Sequence, residues 1–345
     1  MDFGVVLQTD PPATRLVDTM RRAEQLGFGY GWTFDSTVLW QEPFVIYSRI
    51  LAATERLRVG PLVTNPGTRD WSVLASLFAT LNDMYGNRTV CGIGRGDSAL
   101  RMIGRKPETL AAVGACMRAV KDLAEGRETE LGGVTVRIPW VRGGRLPVWM
   151  AAYGPRALRM VGEQADGFVL QCADPDIARW TIGTVRAAAE EAGRDPAGIT
   201  VCVSAPAYIG RDLEHAREQT RWFGAMVGNH VADLVARYGE HGPIPKALTD
   251  YARTRDGAGD SVGNSGSGNG NGDGAAPRCR SGHPSADLVP DAVVDRFCLL
   301  GPASAHRDRL AELAALGVDQ FALYLMHDQP EQTLEAYGRD VIPAF

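Results

Sequence analysis

Three short stretches carry residue types from which a reaction centre could be built. Tyr153-Gly154-Pro155-Arg156 joins an apolar run, Pro147 to Ala151, to a segment in which Ala157, Leu158, Val161 and Ala165 recur at helical spacing. Pro155 suits the first turn of a helix, where a missing N–H costs nothing. A helix starting there leaves backbone N–H groups free to hold an anion, with Arg156 beside them, which makes a candidate cofactor-phosphate site. The same Gly and Pro also suit an ordinary strand-to-helix turn. Asp35 follows the strand-like YGWTF and precedes Ser36, Thr37 and the cluster Trp40, Pro43 and Phe44. A carboxylate over an aromatic wall can orient a cofactor ring or take part in proton transfer; an Asp there can equally cap a helix. Asp97, in the GRGDS of residues 94 to 98, offers a second acid or base, or an N-cap. Arg95 beside it could pair with Asp97 or with a substrate anion, or stay solvated.

Other chemistries lack their usual signs. The six histidines show no HxxxH or HExxH spacing, and Cys279 and His283 stand beside a low-complexity stretch, so no metal site is expected. Neither Ser98 nor Ser204 sits in a GxSxG elbow, and no P-loop is present. The six cysteines are scattered without a CxxC pair, and several lie in apolar patterns where a free thiol packs as a small hydrophobe; disulfides are not expected.

Elements that would position these residues alternate along the chain. Strand patterns fall at residues 3–7, 30–34, 57–64, 89–93, 147–151, 167–171, 199–209 and 320–325. Helical spacing separates them, as in Leu16, Val17, Met20, Ala23 and Leu26, in Trp71 to Met84, in Pro107 to Glu125 and from Arg211 to Tyr251. A β excursion is expected where Val134, Val136 and Ile138 alternate. Eight strands, each followed by helix, predict a (β/α)8 TIM barrel with insertions. A doubly wound sheet is the rival, but its fingerprint needs a third glycine three residues after the second, and Gly92, Gly94 and Gly96 alternate instead. A barrel gathers its chemistry at the carboxyl ends of its strands, where Gln8, Asp10, Asp35, Thr64-Asn65, Gly94 to Asp97, Tyr153 to Arg156 and Gln171 all fall.

The 345 residues, 45% of them hydrophobic, allow one large core, and a single barrel domain spanning 1–345 is expected. Residues 257–276, GAGDSVGNSGSGNGNGDGAA, have little to bury and read as a flexible insertion within it. A net charge of −5 and no basic cluster interleaved with aromatics argue against nucleic acid as a partner. No targeting segment opens the chain and no eighteen apolar residues run together, so a cytoplasmic protein with no membrane partner is expected.

Five motifs, in this order and spacing, resemble the luciferase-like monooxygenase superfamily in its coenzyme F420 (deazaflavin) branch near the methylenetetrahydromethanopterin reductases. They are GFGYGWTFDS (27–36), VGPLVTNPGTR (59–69), VCGIGRGDSA (90–99), AAYGPRALRMVGEQADG (151–167) and the carboxyl-terminal stretch 296–325. The resemblance implies a homodimeric oxidoreductase that moves a hydride between deazaflavin C5 and a small organic substrate. It implies a non-prolyl cis peptide at Leu62-Val63 behind the ring, with Asp35 at the deazaflavin head and Thr64 and Asn65 as the adjoining wall. Gly94, Arg95, Gly96 and Asp97 would form the strand-four rim, Tyr153 to Arg156 the phosphate turn, and Gln171 part of the cofactor site. Asp97 falls where some relatives carry a proton-donating Glu. Several relatives place a His after the strand-two Asp; here Ser36 and Thr37 stand there, which weakens a sugar-phosphate dehydrogenase mechanism. The rivals are an FMN-dependent monooxygenase on the same barrel and a non-catalytic ligand-binding barrel.

Overall fold

The computed structural model describes residues 1–238 and 289–345. The expected insertion at 257–276 lies outside them, as do Cys279, His241 and His283. The chain opens with β1 (Asp2–Leu7), α1 (Ala13–Gln25), β2 (Tyr30–Thr33), α2 (Pro43–Ala53), β3 (Arg58–Pro61), α3 (Trp71–Tyr85) and β4 (Cys91–Ile93). A short α4 (Asp97–Arg101) and α5 (Leu110–Ala124) lead into the hairpin β5 (Thr129–Leu131) and β6 (Val134–Val136). Next come β7 (Val148–Ala151), α6 (Pro155–Gln164), β8 (Gly167–Leu170), α7 (Pro175–Glu191), β9 (Thr200–Ile209) and α8 (Leu213–Tyr238). After the break follow α9 (Asp291–Phe297), β10 (Leu299–Gly301), α10 (Ala303–Ala315), β11 (Gln320–Tyr324) and α11 (Pro330–Ala336).

Parallel pairing runs β3-β2-β1-β11-β9-β8-β7-β4. The circle closes where Val59 and Thr64 of the third βα unit bridge to Thr89 and Ile93 of the fourth, with hydrogen bonds from Val90 N to Val59 O (3.0 Å) and from Gly94 N to Thr64 O (2.9 Å). This is the expected eight-stranded barrel, with the β5–β6 hairpin as the expected β excursion. Two details differ. Pro107 to Thr109 precede α5 because the Thr109 side chain accepts from Ala112 N and so caps the helix. Leu299–Gly301, too short for a periodicity signal, forms β10 by pairing with the last three residues of β9.

Apolar faces of the helices cover the outside of the barrel; on α3, for example, Leu74, Ala75, Phe78 and Leu81 are buried at helical spacing. Inside, Trp32 lies between Tyr30 and Trp149, at ring-centroid distances of 5.7 and 5.3 Å. Its indole N–H donates to Gln320 Oε1 at 3.1 Å. Room for these rings and for closure comes from missing side chains. A Cβ on Gly167 would lie 2.5 Å from the Trp149 indole, and one on Gly60 would lie 2.0 Å from the Val90 carbonyl oxygen. At the amino end of the barrel, carboxylates take up strand N–H groups: Glu24 accepts from Arg56 N and Leu57 N, Asp166 from Val148 N, and Asp319 from Val201 N. Five cysteines are described, all buried free thiols. No helix among the described residues is long and apolar enough to cross a membrane.

His306 sits between the Tyr337 hydroxyl and the Tyr208 carbonyl, and His327 between the Ala207 carbonyl and Gln329 N. Burial pushes each imidazole down to about 4. Between that value and the ordinary one near 6.5, the unfolded chain binds more protons than the folded one. The stability from keeping both rings neutral is therefore complete above about pH 6.5 and is lost as pH falls towards 4. Denaturant unfolding at pH 7 and pH 5 should show this drop, and His306→Asn should show a smaller drop than the wild type. An equal drop in the variant would remove His306 from the effect. Gly60→Ala should cost on the order of 2–4 kcal/mol by the same measurement, since backbone rather than a mobile side chain blocks the new methyl.

Candidate active site

Strand register decides which residues face the barrel interior. Gly4 pairs with Tyr30, Trp32 with Gly60, Trp149 with Gly167, and Cys202 with Gln320. With a side-chain period of two, Gln8, Phe34, Gln171, Ser204 and Tyr324 continue these inward rows at the carboxyl end. Contacts follow that placement. Phe34 stacks between Trp40 and Tyr324, at centroid distances of 6.2 and 5.8 Å, and Phe223 extends the wall 5.5 Å from Tyr324. Gln171 Nε2 donates to the Tyr324 hydroxyl at 2.6 Å, and the Tyr153 hydroxyl donates to Gln171 Oε1 at 3.2 Å. Burial pushes the Tyr324 phenol up to about 12 and raises that of Tyr153, so both remain donors at neutral pH.

Opposite this row lies the end of the third βα unit. The Leu62-Val63 peptide bond is cis. Val63 projects into space left by Gly94, where a Cβ would meet Val63 Cγ2 at 2.9 Å. Asn65 Oδ1 accepts from Gly67 N and Thr68 N, both at 3.0 Å, which folds the following turn. Gly96, at φ +79°, crosses above it, and a Cβ there would lie 2.7 Å from Asn65 Cβ. Thr64 and Asn65 are buried, yet Thr64 Oγ1 and Asn65 Nδ2 have no hydrogen-bond partner among the described residues. Gln8 Nε2 and Asp35 Oδ1 are in the same condition. Buried polar atoms are ordinarily paired, so these bare atoms on residues at the carboxyl ends of strands are candidates for contact with a ligand.

Asp35 is buried and paired with Arg69, Nη1 to Oδ2, at 2.6 Å. Arg69 Nη2 reaches Glu42 Oε2, also at 2.6 Å. Burial opposes the Arg69 charge, but the two carboxylates raise its pKa above the ordinary value. Asp97 lies elsewhere in character. It is the first residue of α4, its side chain is 40% exposed, and Arg101 Nη2 is 3.6 Å away. Arg95 does not pair with it; that exposed guanidinium donates to the Glu108 carbonyl at 2.7 Å. At the turn after β7, Gly154 is the N-cap of α6 without a side-chain cap, and Pro155 is in the first turn, as expected. Arg156 is exposed beside them and forms no ion pair among the described residues. The described residues hold no group of three His, Cys, Asp or Glu side chains able to grip a metal.

The family model for luciferase-like monooxygenases matches residues 1–320. The chain belongs to that family. Across the family, the 5,10-methylenetetrahydromethanopterin reductase of Methanolobus tindarius is 25% identical, over 99% of this chain and 100% of its own length. The solved coenzyme F420 dependent tetrahydromethanopterin reductase of Methanopyrus kandleri superposes with a TM-score of 0.78 at 24% identity, covering 100% and 99% of the two chains. An F420-dependent secondary alcohol dehydrogenase holding an F420-acetone adduct gives 0.73 at 16% identity, covering 99% and 98%. The latter two likenesses establish the luciferase-like barrel as the fold.

The part played by Arg69 is not legible in the sequence motifs, although Arg69 closes the 59–69 stretch. The motifs also place Gln8 only on the rim and give Phe34 and Tyr324 no role. The available signal was alternation: each lies two residues beyond an inward-facing position on its strand. Tyr324→Phe should lower stability by about 1–2 kcal/mol in denaturant unfolding, because it removes the oxygen to which the part-buried Gln171 amide donates. No loss would show that the amide finds another acceptor.

Proposed function

We propose that this protein is a coenzyme F420-dependent oxidoreductase that exchanges a hydride between deazaflavin C5 and an electrophilic carbon of a small organic substrate. The observation that supports this reading is the likeness to a methylenetetrahydromethanopterin reductase over 99% of this chain and 100% of that protein. The residues fit the cofactor. Gln8 Nε2, Asp35 Oδ1, Thr64 Oγ1 and Asn65 Nδ2 offer bare donors and acceptors to the polar edges of a flat ring. The open backbone at Gly94 leaves the ring a floor on Val63, and the uncapped amino terminus of α6 with Arg156 suits a phosphate. Bound F420 would supply the hydride chemistry itself. The chain's residues would orient the ring, shut out water behind the Phe34–Tyr324 wall, and manage the proton. Asp97, open to solvent at the rim, is the group able to exchange that proton with water, while Asp35 is held by Arg69 as a fixed acceptor. A homodimer and a cytoplasmic location belong to the same proposal.

Side-by-side titration with F420 and FMN, following each cofactor's own fluorescence, tests the reading. Saturable binding of F420 in preference to FMN is expected. Preference for FMN, with oxygen uptake in the presence of reduced flavin, would replace hydride transfer by monooxygenation. Asp35→Ala should abolish most turnover while the fold persists; wild-type turnover would take Asp35 out of the site. Arg156→Ala should weaken F420 about fivefold, as loss of an exposed charge-assisted phosphate contact does, with an unchanged melting temperature. Unchanged affinity would move the phosphate elsewhere.

A further inference from the structure

Arg69 is tied to the first turn of α2 as well as to Asp35. Its guanidinium lies over the Phe44 ring, with Cζ 5.0 Å from the centroid. One nitrogen reaches Asp35 Oδ2 and another Glu42 Oε2, each at 2.6 Å. Glu42 Oε1 in turn accepts the Phe44 N–H at 3.2 Å and caps α2. The Glu42 and Phe44 contacts are thus both set by the start of α2, and the Arg69 side chain is only 10% exposed. The result at Asp35 is lopsided. Its side chain is fully buried, Oδ2 is clamped, and Oδ1 has no partner among the described residues. A bare buried carboxylate oxygen is costly unless a donor arrives.

The other ionisable groups around the Asp35–Arg69 pair are Glu42, the N-cap of α2, Tyr47 on α2 and Cys91 on β4. Burial raises both the Tyr47 phenol and the Cys91 thiol, and Tyr47 is hydrogen-bonded to Thr33 at 2.6 Å. Arg69 is therefore the cation that compensates Asp35 among the described residues. We propose that Arg69 is a positioning residue: by holding Oδ2 through a guanidinium anchored on Glu42 and Phe44, it presents Asp35 Oδ1 as a fixed acceptor for a ring N–H of the bound cofactor. The inference rests on the redox-cofactor reading above and names how one edge of the ring is recognised. Deazaflavin and flavin rings both carry such an N–H. A lysine could not replace Arg69 in full, since one ammonium lacks the planar fork that serves two carboxylates at once.

The test titrates F420 into the full-length wild type, Arg69→Met, Arg69→Lys, Asp35→Asn and the Arg69→Met/Asp35→Asn double variant between pH 5.5 and 8.5. Each result is read as the ratio of the variant's dissociation constant to that of the wild type at the same pH, which cancels the ligand's own titration. Asp35→Asn should weaken binding about tenfold or more, by the same ratio at every pH. Arg69→Met should weaken it by an amount that grows as pH falls, because a buried carboxylate without its cation favours the protonated form, which accepts more weakly than the ion and turns one oxygen into a donor. The double variant should match Asp35→Asn alone, since the two residues act as one unit. Arg69→Lys should lie between wild type and Arg69→Met, and it decides the matter if Arg69→Met does not fold. Wild-type affinity in the Arg69 variants, or a pH-independent loss that multiplies with that of Asp35→Asn, overturns the role of Arg69. Wild-type protein that takes neither F420 nor FMN overturns instead the functional reading on which it rests.

Discussion

Closure of the sheet between β3 and β4 is the constraint on which the rest depends. The two strands meet only because Gly60 and Gly92 carry no side chain at the contact; a Cβ on either would lie 2.0 to 2.2 Å from a carbonyl oxygen of the other strand. Once they meet, the bridges at Val59 and Thr64 fix the register of β3 against β4, and the ladders carry that register round all eight strands. Since side chains alternate, a slip of one residue anywhere would turn Trp32, Gln8 or Tyr324 from the interior to the helix layer. The tryptophan-filled interior and the polar mouth above it are thus two consequences of one register.

Polar groups of the barrel fall into two kinds. At the amino end, Glu24, Asp166 and Asp319 each spend carboxylate oxygens on backbone N–H groups, so charge there stitches strands to loops. At the carboxyl end, Gln8, Asp35, Thr64 and Asn65 keep buried atoms without partners. A folded chain tolerates such atoms where the remaining structure holds them in place, and their shortfall becomes a preference for a ligand that supplies the missing bonds.

The two carboxylates singled out by type prove to have different surroundings, and so different aptitudes. Asp35 is enclosed with Arg69 on one oxygen, which suits orientation. Asp97 stands at the start of a five-residue helix with water access and only a loose partner in Arg101, which suits proton exchange. Gln171 is committed to a chain from Tyr153 to Tyr324, so it ties the two rings together rather than offering a free amide.

Much of this was legible in the sequence because it is local. Alternating strand and helix patterns, the helix start at Pro155 and the Gly92-Gly94-Gly96 spacing are each set by a few adjacent residues, and they sufficed for the eight-stranded barrel. The family motifs marked Asp35, Asn65 and Asp97 for the same reason. What tertiary structure alone decided was pairing across the chain. That Arg69 faces Asp35 across 34 residues, that Gln171 joins Tyr324 across 153, and that Arg95 turns from Asp97 to Glu108 are outcomes of strand register and helix packing. No short window of residues contains both partners of the first two contacts. The strand β10 belongs with them, since three residues make a strand only when the end of β9 is there to pair with.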